Sequence, residues 1–338
     1  MYALKEVVLE ITRQCNLSCI HCGSGCSHRV SPGELSLAEW KKAFQELAAM
    51  KVRKVVFSGG EPTLKAGFEK LLLFAGELGM RVGFISNGLR KFSESLQEAI
   101  RQSNPFAVGL SIDGLKEIHN RVRGNKNSWQ GLLQNISILQ KINIPICAVS
   151  TLHKLNYREL PRLASFLALA EIDSWQLQLA MPSGRMKQQT DLLINEEDFK
   201  AICRTAFSLR KQYPKLNIQC ADCFGLAPKD SIRTGCWSGC TAGIHSMAID
   251  AGGNIMPCLS LQNGQRLENC RKRPISEIWK NSPVFDFNRN FKIENAGEKC
   301  AGCDFLSKCR GGCSSQSLAY FGCFHNSPFC FARSFYQQ

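Results

Sequence analysis

The chain lacks any apolar run long enough to cross a bilayer: stretches such as Leu71 to Ala75 end after a few residues, where a spanning helix needs about 20. Its first residues, MYALKEVVLEI, place Lys5 and Glu6 where a secretory signal would need unbroken apolar sequence, which argues against export. Internal repeats and low-complexity tracts are absent, so a repeat array is not expected. Acidic residues are comparatively few, 28 against 42 Lys and Arg, for a formal charge of +14. A basic surface attracts anions, whether acidic peptide, nucleic acid or a reduced electron carrier, and the sign alone does not choose among them. A soluble, cytoplasmic protein without a membrane partner is expected.

Cysteine, by contrast, is abundant, with 18 in 338 residues. In a reducing compartment, cysteines this tightly clustered read as metal ligands before disulfides. Cys15, Cys19 and Cys22 stand in C-x3-C-x2-C spacing, and Gly59-Gly60-Glu61-Pro62 follows a strand-like run. Three thiolates bind only three irons of a 4Fe-4S cluster, so the fourth iron keeps an open position where a small molecule can react. The rival reading is a zinc knuckle beside a coincidental turn.

From residue 5 to about 213, short β-rich runs alternate with amphipathic stretches, the pattern of βα repeats around a parallel sheet. Six strands are expected, at Val7 to Thr12, Lys54 to Ser58, Arg81 to Ser86, Phe106 to Ile112, Ile146 to Thr151 and Ser174 to Ala180. Helices should begin near Leu37, Ala66, Ser93, Trp129, Tyr157 and Glu196, with Ser36, Ser93 and Asn195 as N-caps. In the fourth strand, Phe106, Val108, Leu110 and Ile112 alternate with Ala107, Gly109, Ser111 and Asp113, so the small face should line a ligand-holding lumen. The sixth repeats the device with Gln176 and Gln178. Residues 214–235 look like a bridging segment, and 236–338 form a cysteine-rich domain that bound metal could organise with little apolar core.

The pairing of the cysteine triplet with GGEP resembles the radical S-adenosylmethionine superfamily. The resemblance implies an α/β fold, a partial (β/α)6 TIM-like barrel over residues 1–213, with Cys15, Cys19 and Cys22 on a 4Fe-4S cluster. Methionine amino and carboxylate groups of S-adenosylmethionine would chelate the fourth iron, beside Gly59, Gly60, Glu61 and Pro62, whose glycines would admit the ligand closely. Ser86-Asn87-Gly88 and Ser111-Ile112-Asp113-Gly114 match strand ends that hold ribose and carboxylate in the family. Ser111 and Arg123 are carried over as carboxylate contacts, with Asn87 and Asp113 beside them. The bland reading of Arg123 is a solvated member of a basic run with Arg121 and Lys126. Cys26 reads as a bystander, and Cys147 and Cys203 as small core residues.

Cys240-x12-Gly253-x4-Cys258, then Cys300-x2-Cys303-x5-Cys309-x3-Cys313 with Cys330 beyond, resemble the SPASM auxiliary-cluster module of peptide-modifying radical enzymes. The resemblance assigns Cys236, Cys240, Cys258 and Cys313 to one 4Fe-4S cluster and Cys300, Cys303, Cys309 and Cys330 to another, three clusters in all. Cys220 or Cys223 could replace Cys236, and Cys323 could replace Cys330. Deprotonated ligands lower the net charge by about five units and leave it basic. The implied activity is hydrogen abstraction from a ribosomally made precursor peptide, yielding a cross-link, an epimer or a backbone excision. Sulfatase maturases carry an acidic residue after the half-motif cysteine, whereas Leu259 and Ser260 follow Cys258 here. The basic residues are dispersed, which disfavours a nucleic-acid substrate. A separate leader-recognition protein is expected, because the first strand begins by about residue 5, and so is an electron donor such as flavodoxin or ferredoxin. No general base is legible; Gln176, Gln178, His153 and Met181 are the lumen candidates.

Overall fold

The computed structural model describes residues 2–226, 239–261 and 267–336. The first half runs β1 (Glu6–Glu10), α1 (Leu37–Ala49), β2 (Lys54–Ser58), α2 (Phe68–Glu77), β3 (Arg81–Ser86), α3 (Glu94–Ser103), β4 (Val108–Ser111), α4 (Lys116–Arg123) and α5 (Ser128–Lys141). It continues with β5 (Ile146–Leu152), α6 (Leu160–Leu169), β6 (Ser174–Leu179), α7 (Glu196–Gln212) and β7 (Asn217–Cys220). The cysteine-rich part contributes β8 (Ser246–Ile249), β9 (Asn254–Met256), β10 (Glu268–Asn269), α8 (Ile275–Asn281), α9 (Asp286–Arg289), α10 (Leu306–Cys309), α11 (Ser314–Phe321) and α12 (Phe331–Tyr336). Side chains fix the helix starts as expected: Ser36 and Asn195 close capping boxes with Glu39 and Asp198, and Ser93 accepts from Leu96 N.

The ten strands of the described residues belong to one sheet, in the order β10-β9-β8-β1-β2-β3-β4-β5-β6-β7. β1 through β7 are parallel to their neighbours. β8 joins the free side of β1, also parallel, with Met247 opposite Val7. The order is linear, with β7 and β10 at its ends, so the βα units make an open, TIM-like partial barrel.

Burial separates the two faces of the sheet. Val7, Leu9, Val55, Phe57, Val108, Leu110, Trp175 and Leu177 face the helices and are fully buried. The aromatic rings of Trp40, Phe44, Phe57, Phe68, Phe84 and Phe92 fill that layer in a chain, each centroid 5.4–6.0 Å from the next. The alternate residues Val8, Val56, Ser58, Ser111, Thr151, Gln176 and Gln178 turn inward and are only half-buried. The barrel interior is therefore small, polar and open to solvent, unlike the packed interior of a closed barrel.

The structure departs from expectation in four places. β4 begins at Val108, and Phe106 instead faces inward, where Lys54 lies over its ring at 4.6 Å and a Cβ on Gly83 would come within 2.6 Å of it. Residues 116–123 form α4, whose buried side chains are His119, Val122 and Arg123 rather than an apolar stripe. The stretch 214–235 carries β7, because Ile218 continues the buried face beside β6. Cys203 is in the core, but Cys147 lies half-buried on the inner face.

Candidate active site

β1 delivers the chain into a loop that carries Cys15, Cys19, Cys22 and Cys26, of which only Cys22 is not fully buried. The loop is closed at its base by Cys15 N donating to Ser27 O at 2.7 Å and by Arg13 Nη2 donating to Ser24 O at 2.5 Å. Gly59 and Gly60 pack on this junction. A Cβ on Gly59 would lie 2.5 Å from Thr12 O, and one on Gly60 would be closer still to Gln14 O. Gly60 N and Glu61 N donate to those two carbonyls at 2.8 Å. The glycines thus permit a close approach of backbone to backbone.

Glu61 is 1% exposed and accepts from Thr63 N, Thr63 Oγ1, Ser86 Oγ and Asn87 N at 3.2, 2.7, 2.9 and 2.7 Å. Burial raises its carboxyl pKa despite these bonds. It ties the end of β2 to the end of β3. Asn87 then reaches the cysteine loop, with Nδ2 3.7 Å from Cys15 Sγ and 2.8 Å from Asn16 Oδ1.

At the end of β4, Asp113 Oδ2 stands 2.7 Å from Arg123 Nη2 and 3.7 Å from His21 Nε2, and Oδ1 accepts from Thr151 N at 2.9 Å. Burial, the largest single influence, would raise the Asp113 pKa, but the Arg123 charge together with His21, His119 and the Thr151 N–H outweighs it and holds the carboxyl at about 2. Arg123 is itself 7% exposed, so it is no solvated surface cation. Its Nη1 lies 3.7 Å from Cys19 Sγ. Burial drives His21 down to about 4 and His119 to about 3, and lowers His153 as well, leaving all three neutral near pH 7. His153 Nδ1 accepts from Leu155 N at 3.3 Å, which puts the proton on Nε2, a buried donor without a partner. Ser111, Gln176 and Met181 are half-buried around the same mouth, and Gln178 Nε2 donates to Thr151 Oγ1 at 2.9 Å.

The C-terminal thiols fall into two groups. Cys300, Cys303, Cys309 and Cys330 line one small pocket with Leu226 and Arg333. Cys323 is exposed and does not line that pocket. Cys240, Cys258 and Cys313 are electrostatic neighbours, and Cys313 also faces Cys223, whose Sγ accepts from Leu179 N at 3.2 Å. Burial pushes Cys258 up to about 11 and Cys240 and Cys313 upward too, so these thiols need a bound cation to ionise. Cys236 lies outside the described residues. Among those residues no three Cys, His, Asp or Glu side chains converge on a single ion.

Residues 9–167 match the radical SAM superfamily, and residues 240–304 match the iron-sulfur cluster-binding SPASM domain. The chain carries a radical SAM domain followed by a SPASM domain. This radical SAM enzyme is 26% identical to the AdoMet-dependent heme synthase of Methanosarcina barkeri over 98% of its own length and 97% of the relative. It is 28% identical to the PqqA peptide cyclase of Bradyrhizobium diazoefficiens over 94% and 83%. Its structure matches Streptococcus suis SuiB bound to S-adenosylmethionine with a TM-score of 0.77 at 20% identity, over 94% of this chain and 74% of that one. The last likeness speaks for the fold.

A radical SAM enzyme with a SPASM domain uses S-adenosylmethionine and iron-sulfur clusters, and the residues present fit both. Beside the three loop thiols, Asn16 Nδ2, His21 Nδ1, Arg123 Nε and His153 Nε2 are all buried without a hydrogen-bond partner. Native interiors rarely leave such atoms unpaired unless something else binds there. Sequence reasoning missed Glu10, His21 and Arg185. The first two had signals: Glu10 is a charge in an inward-facing strand register, and His21 is adjacent to Cys22. Arg185 had none, since it lies beyond β6 and meets the cysteine loop only in the fold. Among the described residues no helix is long and apolar enough to cross a membrane.

Proposed function

We propose that this radical SAM enzyme modifies a ribosomally made precursor peptide by hydrogen abstraction, leading to a cross-link, an epimer or a backbone excision. The observation that carries the reading is the half-buried inner face, Ser58, Ser111, Thr151, Gln176 and Gln178, opening beneath the cysteine loop. An extended chain can enter such a lumen beside the cysteine-rich part, which β8 joins to β1. The name of the PqqA peptide cyclase relative supports a peptide substrate, and SuiB has been solved bound to precursor peptide SuiA.

In this reading Cys15, Cys19 and Cys22 hold the radical-generating 4Fe-4S cluster. Cys236, Cys240, Cys258 and Cys313 hold the first auxiliary cluster, and Cys300, Cys303, Cys309 and Cys330 the second. When bound, S-adenosylmethionine and the reduced cluster supply a 5'-deoxyadenosyl radical. The chain's own contribution is orientation: Arg123 and Ser111 receive the carboxylate, Asn87 and Asp113 order the groups around it, and Glu61 fixes the two strand ends. A leader-recognition protein and an electron donor such as flavodoxin or ferredoxin are proposed as partners.

Anaerobic incubation with S-adenosylmethionine and dithionite should yield 5'-deoxyadenosine. Co-expression with a short peptide encoded beside the gene should change that peptide's mass, and an unchanged mass for every such peptide would count against the reading. The heme synthase relative favours one rival, a tetrapyrrole substrate. Loss of carbon dioxide from an added iron porphyrin with propionate side chains, with peptides left intact, would select it.

A further inference from the structure

Beyond β6 the chain turns back as Met181-Pro182-Ser183-Gly184-Arg185-Met186 and lies against the cysteine loop. Arg185 satisfies three main-chain carbonyls there. Its Nε donates to Cys19 O and its Nη1 to Cys26 O, both at 2.8 Å, and its backbone N donates to Cys22 O at 3.0 Å. Gly184 has φ +52, and a Cβ there would overlap Cys22 O and Gly23 O. Met186, next along, is fully buried and anchors the strap. Elsewhere in the loop, Ile20 N donates to Val122 O at 3.1 Å. The loop is therefore held by two segments that are each about a hundred residues or more away in sequence.

A flexible loop presents three thiolates in one geometry only if its main chain is held. A guanidinium fork suits this because its donors lie in one plane and its charge strengthens each bond to a carbonyl. The charge also matters on its own account, since cations and hydrogen bonds near a cluster favour its reduced, more negative state.

We propose that Arg185 is the positioning residue of the cysteine loop, holding Cys19 and Cys22 in their ligand-presenting conformation and easing reduction of the cluster they bind. The proposal rests on the reading that Cys15, Cys19 and Cys22 bind that cluster.

The test uses the full-length enzyme with all clusters reconstituted. The three-thiolate cluster is followed by the part of the EPR signal that shifts on adding S-adenosylmethionine, and the auxiliary signals report intact folding. Under chelator challenge, Arg185→Gln should lose the shifting signal about tenfold faster than the parent, keep its auxiliary signals, and show a more negative midpoint potential. Arg185→Lys should also lose it faster but keep a parent-like potential, since it retains the charge and lacks the fork. If Arg185→Gln loses its auxiliary signals too, the lysine variant decides: faster loss supports the proposal and parent-like retention overturns it. Parent-like retention and potential in Arg185→Gln would overturn it outright. A triple Cys15, Cys19 and Cys22→Ala variant separates the two readings, because a shifting signal that survived there would instead overturn the cluster assignment.

Discussion

Asp113 and Arg123 form a buried ion pair, 2.7 Å from Oδ2 to Nη2, with Asp113 1% and Arg123 7% exposed. Two charges out of water attract strongly, but each has lost its hydration, so removing one partner costs more than the pair contributes. Arg123→Gln should destabilise the protein by about 3–5 kcal/mol, read as a lower denaturation midpoint. The pair also sets an acid response. Asp113 titrates lower in the folded protein than the ordinary value of 3.8, so its stabilisation is present above that value and lost as pH falls toward about 2. The Asp113→Asn protein, less stable at neutral pH, should therefore lose less of its remaining stability between pH 4 and 2 than the parent.

Glu10 shows the reverse shift. It is fully buried, both carboxylate oxygens lack hydrogen-bond partners, and its nearest cation is Arg13 Nη1 at 3.5 Å. Burial, with the nearby Asp250 charge adding to it, raises the pKa from 4.5 to about 7. The folded state then binds a proton that the unfolded chain releases, so this group costs stability as pH rises from 4.5 and costs most above 7. Glu10→Gln should gain about 2 kcal/mol over the parent at pH 8 and nothing at pH 4. Urea unfolding at the two values checks it.

The helix-facing half of the fold was legible because each strand alternates: Val7, Leu9, Val55 and Phe57 declare one face at period two. The helix starts were legible because Ser36, Ser93 and Asn195 cap by local chemistry. What stayed hidden depends on long-range contact. The family resemblance, not any local pattern, singled out Arg123 over Arg121, and its pairing with Asp113 emerges only in the fold. The glycines of GGEP were legible as a motif, but their steric partners, Thr12 and Gln14, lie on another strand end. The joining of β8 to β1 escaped notice because four residues, Ser246 to Ile249, carry too little pattern.

Gly60→Ala tests that steric reading. Its Cβ would strike Gln14 O one residue before Cys15, and neither backbone can yield without moving the loop. The variant should lose about 3 kcal/mol or more of stability by overpacking, and its iron content after reconstitution should drop by one cluster. Parent-like iron content would show that the loop tolerates the methyl group.

The last prediction separates two cysteines that sequence spacing alone could exchange. Cys330 shares a pocket with Cys300, Cys303 and Cys309, whereas Cys323 is exposed, with Asn326 Nδ2 3.7 Å from its sulfur. A cluster held by four thiolates loses affinity when one is removed, because the freed iron must take a weaker ligand. Cys330→Ala should therefore lower the iron bound after anaerobic reconstitution by up to one cluster and change the auxiliary part of the Mössbauer spectrum. Cys323→Ala should leave both unchanged. The opposite pattern would move the fourth ligand to Cys323.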